Sequence, residues 1–312
     1  MKPPFFSVVI PTYNQASFLK DAIRSVINQN FKNYEIIIID NNSKDDTKKT
    51  IKCFNSNKII YRKINNKGII SKSRNHGIKT SRGKWIAFLD SDDFWYKNKL
   101  KEISKITKKR KKFDLICNDE IILFDTQKNK KIWRYGPYKQ NFYENLLRYG
   151  NCISTSASIV RKDFLEKNNI KFDENKKFVT TEDYDFFLNI ARKNGKFYFL
   201  HKVLGNHLIH KKSASSNYLK HKKALESVSK HHVFNLQKFY VNKKELWKDV
   251  NYNIGLENII HIIKEKKMNY FILEKILKLF IKSPIKFLRF FILQSYKALF
   301  KKFDFYFYFK NF

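Results

Sequence analysis

The first hundred residues alternate between two hydrophobic periods, and this alternation constrains the fold more than any other feature. Ser7–Ile10 is a short, mainly β-branched run stopped by Pro11, after which Phe18, Leu19, Ala22, Ile23, Val26 and Ile27 recur at helical spacing. Tyr34–Ile39 is a nearly continuous apolar run closed by Asp40, the pattern of a strand buried on both faces. Asp46–Phe54 then reads as a helix, Lys58–Arg62 as a strand, Ser71–Ser81 as a helix, and Trp85–Leu89 as a buried strand ending at Asp90. Strands alternating with helices predict an α/β architecture with a parallel sheet and right-handed crossovers. Open sheets of this kind bind ligands beyond the carboxyl ends of their strands. Three polar clusters fall there: Pro11–Asn14, Asp40–Ser43 and Asp90–Asp93. Their coincidence predicts a site.

Beyond residue 112 the pattern is mixed. Asp114–Cys117, Ile121–Phe124 and Ile153–Val160 read as strands, and Thr181–Asn194 as a helix with Phe186, Phe187, Ile190 and Ala191 on its apolar face. Residues 218–266 are helical in pattern and strongly charged. With 43% hydrophobic residues the 312-residue chain can bury a core, and its 8 glycines and 5 prolines exclude collagen-like and low-complexity chains. Three scattered cysteines, Cys53, Cys117 and Cys152, exclude a disulfide framework or a Cys-based zinc site. The formal charge of +36 invites an anionic partner, so a basic nucleic-acid-binding protein is a reading that the motifs have to displace. Against it, the lysines are spread along the whole chain and form no single basic arm. The chain reaches a proline before any apolar stretch long enough for a signal peptide, and no run approaches the roughly 18 apolar residues of a spanning helix. A reducing, cytoplasmic setting is expected.

Asp90-Ser91-Asp92-Asp93 crowds three carboxylates at one strand end. Like charges so close raise one another's pKa unless a cation or hydrogen bonds offset them. A hard divalent cation does this, since Mg²⁺ binds through one or two carboxylates plus substrate phosphates. The plain alternative is an Asp-rich turn that caps the helix beginning near Lys97.

The order of the surrounding motifs favours the cation. SVVIPTYN opens the chain, EIIIIDNNSKDDT follows the first helix, and GIISKSRNHGIKTSRGKWIAFLDSDDFW runs into the acidic cluster; TTEDYDFF and HLIHKKSAS come later. Over residues 6–215 this series resembles the family 2 glycosyltransferases, nucleotide-diphosphosugar-dependent enzymes that invert the anomeric centre. The resemblance implies the GT-A fold, a Rossmann-like mixed α/β sheet flanked by helices, here followed by a C-terminal helical, amphipathic extension. It divides the chain into a catalytic domain at 1–215, with its nucleotide-sugar half at 1–112 and its acceptor half at 113–215. A charged helical region at 216–266 and a basic tail at 267–312 follow.

The resemblance also implies roles. Pro11, Thr12, Tyr13 and Asn14 line the nucleotide pocket, and Asp40 accepts a hydrogen bond from the uracil ring. Asn66, Arg74 and Asn75 match the stretch that approaches nucleotide and phosphates, although Arg74 serves equally well as an ion-pair partner. Asp90-Ser91-Asp92 matches the DxD motif, in which the first Asp contacts the ribose and the second holds Mn²⁺ or Mg²⁺ on the diphosphate; Asp93 supports the loop. Asp183 matches the catalytic base, with Glu182 and Asp185 as structural neighbours. His210 aligns with a His that completes the metal or diphosphate site, whereas His207 and Leu208 replace the family's Tyr-Arg pair. The other six histidines have no such context.

From Lys264 onward twelve lysines and arginines face Glu265, Glu274 and Asp304, a surplus of nine positive charges. Leu273, Ile276, Leu277, Phe280 and Ile281 form a stripe, with Lys275, Lys278 and Lys282 outside it. Basic amphipathic helices of this kind lie in membrane interfaces; packing on the catalytic domain or on a second subunit is the alternative. The expectation is therefore an inverting hexosyltransferase bound peripherally to the inner face of the cell membrane. It would move a hexose or N-acetylhexosamine from a UDP-sugar to a bacterial glycan acceptor, either a polyprenyl-diphosphate-linked oligosaccharide (as a branching glucosyltransferase does) or a lipooligosaccharide or capsule. No nucleic-acid partner is expected on this reading. A sugar-nucleotide-binding relic without catalysis is a third alternative, against which the intact Asp90, Asp92 and Asp183 argue.

Overall fold

The computed structural model describes residues 3–109, 113–124, 127–210, 217–236, 241–264, 270–288 and 305–307. The apolar runs of the amino-terminal third are strands: β1 (Phe6–Thr12), β2 (Tyr34–Asp40), β3 (Ile59–Lys63) and β4 (Trp85–Phe88). Between them run α1 (Ala16–Ile27), α2 (Thr47–Lys52) and α3 (Ile70–Thr80). β1 pairs in parallel with both β2 and β4, and β2 with β3, as the alternation predicts. Every residue of β1 and β2 is buried, which accounts for their apolar character. Within β2 the exceptions are Asp40 at its end and Glu35 near its start. Glu35 is held by the protein alone. Its carboxylate accepts from Ser7 Oγ at 2.6 Å, from Arg82 N at 2.7 Å and from Arg82 Nε at 2.8 Å, so the buried charge is fully partnered. The register sets Thr12 level with Asp40, which brings two of the polar strand ends together.

The second half of the sheet is antiparallel in part. A short β5 (Phe94–Trp95) leads into α4 (Lys99–Lys109) and then β6 (Leu115–Phe124) and β7 (Gln127–Arg134). After α5 (Phe142–Tyr149) come β8 (Ser158–Arg161), α6 (Lys162–Lys167), α7 (Glu182–Arg192) and β9 (Phe197–Ile209). β8 runs antiparallel to β4 and to β6, β7 antiparallel to β6, and β9 parallel to β6. The ten-stranded sheet is thus mixed. The two strands expected at 114–117 and 121–124 are one strand, β6, interrupted in pattern by Asn118-Asp119-Glu120. These polar residues are buried and partly partnered: Asn118 Nδ2 donates to the Asp119 carbonyl at 2.8 Å, and Tyr135 donates from its N–H to Asp119 at 3.2 Å and from its hydroxyl to Glu120 at 2.9 Å. The strand expected at 153–160 is shorter, because the chain turns through Thr155 before β8.

Helices cover both faces. On one, Leu19, Ala22, Ile23 and Val26 of α1 and Leu100 and Ile103 of α4 meet Phe6, Val8 and Ile10. On the other, α5 and α7 pack over Val9, Ile86, Phe88 and Leu115. α3 approaches β1 so closely that a Cβ on Gly77 would lie 2.2 Å from Val9 Cγ1, so only glycine fits there. The charged region beyond residue 216 forms α8 (Tyr218–Lys230), a π-helical turn at His231–Leu236, and α9 (Lys243–Lys264). Val228, Val233, Leu246, Val250 and Ile254 join the same core as α5 and α7.

α10 (Tyr270–Lys282) lies on α9, where Leu279 and Phe287 pack against Tyr252 and Leu256 and the Tyr252 hydroxyl donates to the Leu279 carbonyl at 3.2 Å. Pro284 opens a further helical stretch at 284–288, where its missing N–H costs nothing. Of the carboxy-terminal residues, Phe305–Phe307 form β10, parallel to β7; the expectations for 289–304 and 308–312 lie outside the described residues. Among the described residues no helix is long and apolar enough to cross a membrane.

Candidate active site

The carboxyl ends of β1, β2 and β4 meet as expected, and hydrogen bonds lace their loops together. Pro11 and Thr12 end β1; Thr12 is buried and its Oγ1 has no hydrogen-bond partner among the described residues. Tyr13 stands 54% exposed above them. Asn14 takes a left-handed conformation (φ 49°), accepts from Lys44 N at 2.8 Å and donates its own N–H to Ser43 Oγ at 2.9 Å. Asp40 is 1% exposed: one oxygen accepts from Ser43 N and Oγ at 2.9 and 2.6 Å, the other from the Tyr61 hydroxyl at 2.7 Å. Burial and this charged partner push the Tyr61 hydroxyl up to about 12.

Asn66 is buried, donates to Ser73 Oγ at 2.9 Å and accepts from Gly68 N at 2.8 Å, which shapes the loop entering α3. Asn75, one turn into that helix, is bound to the segment after α6: it donates to the Phe172 carbonyl at 2.8 Å and accepts from Phe172 N at 2.9 Å. Its polar atoms therefore hold protein to protein. Arg74 is 3% exposed and bridges two acidic motifs, with Nη2 2.8 Å from Asp90 Oδ1 and Nη1 2.7 Å from Glu182 Oε1. Burial disfavours its charge, but Asp90 and Glu182 outweigh that and hold the guanidinium charged. The ion-pair alternative for Arg74 is the one this geometry displays.

The acidic loop is fixed from three sides. Asp90 N donates to Ser156 Oγ at 3.0 Å, and Ser91 Oγ donates to Gln15 Oε1. β5 pairs antiparallel with β9, Phe94 opposite Asn206, so the end of β9 passes over the acids. His207 and His210 thereby lie at the end of β9. His207 Nδ1 is 3.1 Å from Asp93 Oδ2, and His210 Nε2 is 2.9 Å from Asp92 Oδ2 while its ring stacks on Phe18. Burial alone would lower the His207 pKa, but the Asp93 charge raises it to about 10, and the same pairing overcomes burial to lower that of Asp93. His207⁺ and Asp93⁻ thus form an internal ion pair. Asp92 differs: burial first, then the charges of Asp93 and Asp90, push it up to about 6 against the His210 hydrogen bond. Burial and two like charges thus disfavour its ionised form, and a bound cation would favour it.

The donor set here is one carboxylate and one imidazole, and among the described residues no group of three or more His, Cys, Asp or Glu side chains stands ready to hold a metal. Such a pair suits a hard ion that completes its shell with phosphate oxygens and water, and so fits Mn²⁺ or Mg²⁺.

Asp183 lies in the first turn of α7, where acids are favoured by the helix dipole. It is partly exposed, with the Thr155 hydroxyl 3.5 Å from Oδ2 and its other oxygen accepting from Tyr184 N at 2.8 Å. Burial of its carboxyl, then the neighbouring Glu182 charge, push its pKa up to about 7, with Arg74 opposing. That value suits proton acceptance near neutrality. Gln15, Tyr61 and Ser156 carry no signal in the sequence, because each acts through a partner at least 21 residues away.

The Glycosyl transferase family 2 model matches residues 7–168. An uncharacterized glycosyltransferase of Rickettsia typhi is 32% identical over 213 residues, 66% of this chain and 64% of that protein. The chain therefore spans just under two thirds of that relative's length. The Escherichia coli UDP-Glc:alpha-D-GlcNAc-diphosphoundecaprenol beta-1,3-glucosyltransferase WfaP is 29% identical over 218 residues, 69% of this chain and 81% of WfaP. The crystal structure of S. aureus TarS in complex with UDP-GlcNAc superposes with a TM-score of 0.60 at 20% identity, covering 80% of this chain and 71% of that one. The mixed sheet with helices on both faces is the fold the two share. With the family match covering over half its length, the chain belongs to Glycosyl transferase family 2 and has the GT-A fold.

Proposed function

We propose that this chain is an inverting, metal-dependent glycosyltransferase that moves a hexose or N-acetylhexosamine from a UDP-sugar to a hydroxyl of a bacterial glycan acceptor. The observation that carries this reading is the Arg74 bridge, which draws the strand-end acids at 90–92 and the Glu182-Asp183 pair to a single site. One acid cluster faces the leaving diphosphate and the other takes a proton. Asp183 accepts the proton of the acceptor hydroxyl as that oxygen attacks the anomeric carbon; the bond from this carbon to the diphosphate oxygen breaks, and its electron pair leaves with UDP. Attack from the face opposite the leaving group inverts the centre. Asp92 and His210 would hold Mn²⁺ or Mg²⁺, which stabilises charge developing on the departing diphosphate. The sites of Pro11–Asn14 and Asp40 at the strand ends suit a nucleotide, with the Asp40 carboxylate as the uracil acceptor.

A polyprenyl-diphosphate-linked acceptor is the class that the name of WfaP supports. Such a substrate resides in a membrane, and α10 offers a means of reaching it. Leu273, Leu277, Ile281, Ile285 and Leu288 are each at least half exposed, on the side of the helix turned away from α9. Lys275, Lys278 and Lys282 accompany them, whereas Lys286 reaches back to Asp249 of α9, so the face complements an anionic bilayer surface and the protein is peripheral on the inner face of the cell membrane.

A thermal-melt panel of UDP, UDP-glucose, UDP-N-acetylglucosamine, GDP-mannose and CDP, each with Mn²⁺ or with EDTA, tests the donor assignment. A UDP compound at about 100 times its Kd adds about 2.7 kcal/mol of stability, and does so only with metal. Protection by GDP-mannose alone would overturn the uridine reading.

A further inference from the structure

The two histidines best placed to control Asp183 lie outside every motif. His221, on α8, has its Nδ1 3.1 Å from the Thr180 carbonyl, immediately before α7. A carbonyl only accepts, so Nδ1 carries the hydrogen. Thr180 is held at φ 87°, a left-handed conformation that is strained for a β-branched residue. Its N–H donates to Glu182 Oε2 at 2.8 Å, so the strained residue is fastened at both its polar backbone atoms. Two residues beyond Asp183, Asp185 Oδ1 lies 2.9 Å from Nε2 of His232, which belongs to the π-helical turn. The Tyr143 hydroxyl of α5 lies 2.9 Å from Nδ1 of the same ring. Burial lowers the pKa of both histidines. In its neutral form the His232 ring donates to Asp185 and accepts from Tyr143, so both nitrogens are satisfied in a site that is 0% exposed. A π-helical turn is an uncommon conformation that recurs at functional positions.

We propose that His221 and His232 are positioning residues, through which the C-terminal helical layer sets the backbone on either side of Asp183. The inference rests on the reading of Asp183 as the base. His221 fixes residue 180 and His232 fixes residue 185, so the carboxylate between them has little freedom to swing. The helices beyond residue 216 are then part of the catalytic machinery, reached without touching substrate.

The test measures kcat and KM for UDP-sugar turnover together with amide hydrogen exchange across residues 180–186. It compares His221→Leu, His221→Asn and His232→Leu, with Asp183→Asn as reference. Asn at 221 keeps a donor near the position of Nδ1. The expected result is a fall in kcat of about tenfold to a hundredfold in His221→Leu and His232→Leu, with KM for the UDP-sugar within twofold, since displacement of a reacting group by about 1 Å costs on that order. Exchange at 180–186 rises in both, and His221→Asn recovers kcat and protection. Unchanged exchange, or a normal kcat in His221→Leu and His232→Leu where Asp183→Asn is inactive, overturns the proposal. Turnover surviving in Asp183→Asn overturns the base assignment instead.

Discussion

Asp183 faces conflicting influences: burial and Glu182 hold its proton on, while Arg74 pulls it off, and the balance falls at about 7. As a base it must be ionised, so kcat/KM should rise about tenfold per pH unit below 7 and level off above it. Stability runs the opposite way. The folded carboxyl keeps its proton to higher pH than the unfolded one, whose ordinary value is 3.8, so this group's contribution is full below about pH 4 and is lost as pH rises through about 7. A pH–rate profile beside pH-dependent melts of wild type and Asp183→Asn checks both signs; a flat profile between pH 5.5 and 8.5 contradicts the assignment. At this scale the sequence was informative about the acids and silent about their supports. Asp90, Asp92 and Asp183 announce themselves because charge at a buried strand end or a helix start is conspicuous. Tyr61, Gln15 and Ser156 are ordinary residues whose value comes only from the element opposite.

Elements with a strong period were legible, and those with mixed burial were not. α1 and β2 follow their patterns because each buries one complete face or both. β9 escaped notice because its thirteen residues include His201 and Lys202, exposed in mid-strand, and because His207 and His210 look like loop residues until β5 pairs beside them. The polar triplet in β6 split one strand into two for a similar reason. The stripe of α10 was visible in sequence, and its exposed and packed faces are now separate. Leu277→Glu combined with Ile281→Glu should weaken co-sedimentation with anionic vesicles at least about tenfold, since each buried leucine or isoleucine side chain stabilises by roughly 1.5–3 kcal/mol. Both residues are exposed, so the melt should stay within about 1 kcal/mol of wild type. Unaltered sedimentation assigns that face to something other than a bilayer.

Across the whole molecule, a parallel amino-terminal half and a mixed carboxy-terminal half share one sheet, and the Arg74 bridge crosses from one to the other. The α/β class and the order of motifs were readable, since both follow from local patterning. The packing of α8 and α9 into the core beside α7 was not, because a charged helix advertises its solvated face and hides a narrow apolar one. On the proposed reading, function depends on that assembly: an acid cluster for the leaving group, a base on α7, and a rear layer holding the base. The most direct measurement is UDP release from a UDP-sugar by wild type, Asp92→Asn and Asp183→Asn, with Mn²⁺ and with excess EDTA. The account predicts release that requires the metal, is abolished in Asp92→Asn, and falls by several orders of magnitude in Asp183→Asn while UDP still protects that variant from melting. Full turnover in EDTA, or a near-normal kcat in Asp183→Asn, would contradict it.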